Sequence, residues 1–217
     1  MVRCEHCLLA SHACMCRWKV QATIPIEFVL VMHRKEVYKT TNSGRLIADV
    51  FPEQTHAFLW DRTEPDPQLL ALLNDPQYRS AILFPEESQT PMTAEPQAPA
   101  DNRPLRIILL DGTWKQASRM VRLSDWLKSL PRISIHPQEQ PQPYIRQAIR
   151  EGQLSTAQAA ACLLQQYHLE EASQCLHHYF SVFNQHCIAT RRNITPAITQ
   201  AHRYLEAYQE RLRNCVT

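Results

Sequence analysis

Arg106-Ile107-Ile108-Leu109-Leu110-Asp111-Gly112-Thr113-Trp114 decides how this chain is read. Its apolar run has no polar alternation, which is the pattern of a strand buried on both faces in the middle of a parallel sheet. Asp111-Gly112 then breaks the run with a turn, and residues 113–127 continue with helical periodicity.

The same alternation extends to either side. Residues 27–33, 55–60, 80–84 and 132–136 read as further short strands, and 44–50 and 68–73 as helices between them. Strands alternating with helices predict an α/β fold with a mostly parallel, twisted sheet flanked by helices on both faces. From 156 to about 213 the pattern is helical almost throughout, with breaks near Asn193 and Pro196. Residues 85–104, rich in Pro, Glu, Gln and Ala, read as a mobile surface loop, and 136–143 as a second Pro/Gln-rich connector. There is no internal repeat.

With 217 residues, 44% hydrophobic and 20% charged, the chain is sized and composed for one globular core. The formal net charge of +2 means that any nucleic-acid contact must come from local patches. No stretch approaches the roughly 20 apolar residues that span a bilayer, and the first residues lack the apolar segment of a signal peptide. A cytoplasmic location, with no membrane contact and with reduced thiols, is the expectation.

Four of the eight cysteines crowd into Cys4-x2-Cys7-x6-Cys14-x-Cys16. Four thiolates this close can wrap a tetrahedral zinc ion, and a closed Cys4 set is structural rather than catalytic. Residues 1–20 are accordingly read as a zinc knuckle that the metal folds, and 21–217 as the main domain. Two disulfides are the competing reading, disfavoured in a reducing compartment, and His6 or His12 could replace one ligand. Arg3, Arg17 and Lys19 are placed to offset the surplus negative charge. Of the remaining cysteines, Cys162, Cys175, Cys187 and Cys215, three lie in apolar helical pattern and read as small core residues.

Ligands of open α/β sheets bind outside the carboxyl ends of the strands, so the turn Asp111-Gly112-Thr113-Trp114 is a candidate site. Asp111 could equally be an ordinary helix cap, and Trp114 ordinary core. Lys115, Arg119 and Arg122 form a basic stripe on the following helix, opposite Trp114, Ala117 and Val121. Glycine is rare here. Gly44, Gly112 and Gly152 are expected where the backbone needs positive φ or must approach a ligand. Two further segments flank glycines: His33-x2-Glu36-x5-Asn42-Ser43-Gly44-Arg45, and Tyr144-x-Arg146 through Gly152 to Leu154-Ser155-Thr156. Ser155 is also a natural helix cap.

Taken in order, these elements resemble the DTW-domain family, named for the Asp-x-Thr-Trp present as Asp111, Thr113 and Trp114. The resemblance implies a SPOUT-like sheet, related to folds whose cofactor lies in a knotted C-terminal part of the sheet, and a tRNA-uridine aminocarboxypropyltransferase. Such an enzyme moves the 3-amino-3-carboxypropyl group of S-adenosylmethionine to N3 of a uridine, in bacteria typically in the variable loop, and releases methylthioadenosine. It implies that Asp111, Thr113 and Trp114 form the reaction centre. Gly112, with Asp111, Asn42, Gly44, Leu154, Ser155 and Thr156, would bind the group donor, while Arg45, Lys115, Arg119 and Arg146 would meet tRNA phosphates or the donor's carboxylate. Asp111 would act as base toward N3 or would hold the donor's ammonium group. Two departures stand out: Ser43 where the family often has Thr, and Gln158 where it commonly has an acidic residue. An RNA methyltransferase of the same fold, or a non-catalytic zinc-bearing RNA-binding module, are the rival readings.

Overall fold

A computed structural model describes residues 2–84, 102–135 and 154–215. The segments read as a mobile loop (85–104) and as a Pro/Gln-rich connector (136–143) lie almost wholly outside the described residues, as do Arg146 and Gly152. The chain divides into two compact units. One comprises Ile24–Val37 and Gln54–His136; the other comprises Met1–Thr23, Tyr38–Glu53 and Pro137–Thr217.

The first unit holds a five-stranded sheet built from β1 (Ile26–Met32), β2 (Thr55–Leu59), β3 (Arg79–Leu83), β4 (Leu105–Asp111) and β5 (Arg132–Ile133). Every neighbouring pair is parallel, and the order is β2-β1-β4-β3-β5. All seven residues of β4 are buried, as its unbroken apolar run predicts for a central parallel strand. The predicted strands match within one residue at most ends, but β5 stops after two residues.

One sheet face, carrying Val29, Val31, Ile82, Ile108 and Leu110, packs against Leu69 of α2 (Pro67–Leu73) and Ala117, Met120 and Val121 of α3 (Trp114–Leu123). Leu127, from the one-turn α4 (Asp125–Lys128), completes the cluster. Each fully buried aliphatic side chain here contributes about 1.5–3 kcal/mol of transfer free energy. The stretch 113–127 was expected as one helix and is two. Ser124 takes extended backbone angles, is fully buried, and accepts a hydrogen bond from Trp60 Nε1 at 2.9 Å, which draws it out of the helix. At the opposite end of the sheet, Arg106 is 2% exposed and pairs with Glu27 at 2.8 Å, donates to the Leu72 carbonyl and lies over the Tyr78 ring.

The second unit is helical. It contains α1 (Arg45–Val50), α5 (Thr156–Gln166), α6 (Glu170–Arg192) and α7 (Gln200–Cys215). α6 packs on α1, α5 and α7, and the short 3₁₀ turns Ser11–Ala13 and Cys16–Trp18 pack on α6 and α7 respectively. Asn193 adopts a left-handed conformation (φ 54°) and ends α6, near the predicted break. A second break is new: His168, at φ 57°, turns the chain between α5 and α6. Cys175 and Cys187 are buried and Cys162 is half-buried. Among the described residues no helix is long and apolar enough to cross a membrane.

Candidate functional site

β1 and β4 are adjacent, and Met32 stands opposite Asp111 in their register. Their outgoing connections diverge, because β1 leads to β2 on one side while β4 leads through α3 to β5 on the other. This is a topological switch point, the place at the carboxyl ends of the strands where ligands of open α/β sheets bind. Asp111 lies there, 3% exposed, with its carbonyl accepting from the His33 N–H at 2.9 Å.

The helix that leaves this turn is not capped by Asp111. Thr113 is the N-cap, and it forms a reciprocal capping box with Gln116: Thr113 N–H donates to Gln116 Oε1 at 2.7 Å and Gln116 N–H to Thr113 Oγ1 at 3.3 Å. The N–H groups of Trp114 and Lys115, in the first turn of α3, have no acceptor within the helix and suit an anionic group.

Gln116 has a second use. Its Nε2 lies 3.3 Å from His33 Nδ1, which also accepts from the Lys35 N–H at 3.2 Å. Because Nδ1 accepts, a neutral His33 ring carries its proton on Nε2. The ring stacks on Trp60, centroids 6.0 Å apart, and Trp60 is in turn held by Ser124. His33 is half-buried, and Glu36, whose N–H donates to the His33 carbonyl, is 1% exposed. Both belong to a motif visible in the sequence, yet only the structure brings His33 beside Asp111.

Gly112 has a local reason to be glycine. A Cβ there would approach Gln116 Cβ to 3.1 Å, so the capping side chain would have to give by a few tenths of an ångström. Gly44, expected in a special conformation, has ordinary helical angles of −58° and −39° as the residue before α1. Trp114 is half-buried at the start of α3, its ring tilted against Phe84 at 6.3 Å. Lys115, Arg119 and Arg122 are exposed along α3 and make no ion pair among the described residues.

The other expected donor-binding residues belong to the helical unit. Asn42 is 2% exposed, and its Oδ1 accepts from the Arg45 N–H at 3.1 Å, opening α1. Ser155 caps α5 in a second capping box, completed by Gln158, whose Oε1 accepts from Ser155 N–H at 3.1 Å. A carboxylate at position 158 could accept that bond equally well, so the departure from the family's acidic residue leaves the local fold intact. α1 and α5 pack on each other. Arg45, expected at a phosphate, donates instead to the carbonyls of Cys7 (2.6 Å) and Thr40 (3.2 Å).

The four N-terminal cysteines converge, their ligand atoms all within 4.8 Å of one another. Cys4 and Cys16 sulfurs are 3.6 Å apart and those of Cys7 and Cys14 3.8 Å, far beyond a disulfide bond, and all four thiols are free. A tetrahedron with Zn–S bonds of about 2.3 Å has edges of about 3.8 Å, so the donor set fits zinc in both chemistry and spacing. The chain frames it tightly: Cys4 N–H donates to the Leu9 carbonyl and Leu8 N–H to the Cys4 carbonyl, with Leu8 at φ 62°. The Cys7 and His6 N–H groups lower the Cys4 thiol to about 6, whereas burial first, then the neighbouring thiols, raises Cys16. A divalent cation would resolve that conflict by taking all four as thiolates.

The family model described as DTW domain matches residues 1–188. The chain belongs to the DTW family. The match takes in the cysteine cluster, the whole sheet, α5 and most of α6, and DTW membership fits a tRNA-modifying role. No solved structure matches the chain.

Proposed function

We propose that this DTW protein transfers the 3-amino-3-carboxypropyl group of S-adenosylmethionine to N3 of a tRNA uridine. The observation that carries the reading is the buried Asp111 at the switch point, beside His33.

In this reaction the N3–Cγ bond forms as the Cγ–S bond breaks. The electron pair passes to the sulfonium sulfur, methylthioadenosine departs, and the N3 proton goes to a base. The sulfonium is already activated, so alignment contributes most and deprotonation second. Asp111 either takes the N3 proton or orients the donor's ammonium group. His33 Nε2–H is suited to donate to a uracil carbonyl. Gly112, Thr113 and Trp114 shape the reaction centre, and Asn42, Gly44, Leu154, Ser155 and Thr156 serve the donor. Lys115 and Arg119, exposed without ion-pair partners among the described residues, would meet phosphates, with Arg146 as a further candidate.

The test is mass spectrometry of unmodified tRNA incubated with the protein and S-adenosylmethionine, reading both nucleosides and by-product. Aminocarboxypropyl-uridine with methylthioadenosine is the expected outcome. Methylated nucleoside with S-adenosylhomocysteine would replace the reaction, and absence of turnover on any tRNA would leave a binding module.

A further inference from the structure

Four thiolates around one divalent cation leave two negative charges in the knuckle. The cations nearest in sequence are already committed. Arg17 pairs with Glu206 at 2.8 Å and is 65% exposed, and Lys19 pairs with Asp49 at 2.8 Å and is 44% exposed. Arg3 is exposed and donates to the Leu8 carbonyl. Solvent weakens the reach of all three.

Arg45 differs. One guanidinium nitrogen, Nη2, donates to the carbonyl of the ligand residue Cys7 at 2.6 Å and to Thr40 at 3.2 Å. The guanidinium lies 5.2 Å from the Phe183 ring centroid, and its other terminal nitrogen, Nη1, is buried with no hydrogen-bond partner. Among the described residues no carboxylate pairs with it. A part-buried guanidinium that binds only carbonyls and an aromatic face is costly unless an anion balances it. The adjoining cysteine cluster becomes that anion when metal enters.

We infer that Arg45 is the counter-cation of the metal-loaded knuckle, clamping it through the carbonyl of Cys7, and that it ties the knuckle to the Asn42-Ser43-Gly44 turn. The link is direct, since Arg45 N–H donates to Asn42 Oδ1 while its side chain holds Cys7. Metal loading then organises the turn that opens α1. Arg45 is a positioning residue in this role, in place of the phosphate contact its sequence position suggests. The inference goes beyond the tRNA reading and does not depend on it.

The experiment follows zinc release from the purified full-length protein to a coloured chelator, without tRNA or S-adenosylmethionine, so its failure is separate from that of the transferase reading. Arg45→Gln should release zinc about 10–100 times faster than the unmodified chain. Arg45→Lys keeps the charge but loses the planar guanidinium that lies by the Phe183 ring and should fall between, which keeps the test open if the Gln variant does not fold. Arg17→Gln should stay within about twofold, because its exposed charge is screened. Circular dichroism establishes that each variant is folded. Unchanged release from folded Arg45→Gln, equal acceleration by Arg17→Gln, or a protein that takes up no zinc would each overturn the inference. So would an Arg45→Gln protein that retains zinc normally but loses tRNA affinity.

Discussion

Gln116 and His33 hold each other across the switch point: the amide Nε2 lies 3.3 Å from imidazole Nδ1, while the Oε1 of the same amide accepts from Thr113 N–H at 2.7 Å. One side chain thus caps α3 and fixes a histidine tautomer. Gln116→Ala should cost about 1 kcal/mol of stability through the lost cap, measured by urea unfolding. Transfer should fall by more than that loss explains. Gln116→Glu keeps the capping acceptor but cannot donate to Nδ1, so it should retain stability while changing the pH dependence of turnover.

Asp111→Asn preserves shape and removes the charge. Turnover should drop by about 10²-fold or more, whether the carboxylate moves a proton or orients the donor. Binding of S-adenosylmethionine, read by calorimetry, separates the two roles: it weakens only if Asp111 holds the ammonium group. A soluble Asp111→Asn protein with undiminished turnover would sink the assignment.

Arg106→Met should be among the most destabilising single changes in the sheet unit. It leaves Glu27 without its buried partner, at a cost of about 3–5 kcal/mol in chemical unfolding. Adding Glu27→Gln should restore part of the loss, because the stranded charge goes with it. The pair lies at the end of the strands away from the switch point, so transfer by the folded variant should be little changed.

Acid should loosen the helical unit. His186 and His202 are both fully buried with their Nε2 atoms 3.0 Å apart; Thr199 N–H donates to His202 Nδ1, and His186 Nδ1 faces the Ala13 carbonyl at 2.9 Å. This chain of bonds is complete only when both rings are neutral. Burial first, then His186, lowers His202 to about 4, and burial lowers His186; Arg17 acts in the same direction on both, while Glu206 opposes at His202. Depressed folded-state values mean full stability above the ordinary value of about 6.5, lost as pH falls toward the folded value. Between about pH 7.5 and pH 5 the loss from His202 is on the order of 2 kcal/mol. The midpoint of urea unfolding should fall less over this range in His202→Gln; equal falls would remove the pair from the account.

Much of the sheet was legible because central parallel strands announce themselves as unbroken apolar runs, as β1 and β4 do. Their neighbour relations were not, since nothing local in the sequence says that β4 inserts between β1 and β3. The helix break at Ser124 was hidden because the amphipathic pattern runs through it and its cause, Trp60, is 64 residues away. The Asp111 turn was readable from a strand, an acidic residue and a glycine in succession. His33 could be quoted but not placed, and the surroundings of Arg45 were hidden for a related reason. A basic residue after a glycine turn suggests a phosphate or carboxylate ligand, and only the fold shows Cys7 and Phe183 against it.

The braces on the knuckle come from far along the chain: Ala13 to His186 spans 173 positions, and Ala10 to Thr190 spans 180. At ordinary rates of synthesis, roughly 10–40 s separate the making of the cysteines from the making of the helices that pack on them. During that interval the nascent thiols stand without their walls, and a metal ion captured early would shield them from oxidation and mispairing. Long-range closure of this kind also slows folding, because both ends of the chain must meet before either is secure. Metal supply during translation, as well as the finished protein's stability, would then bear on how much of this protein is recovered intact.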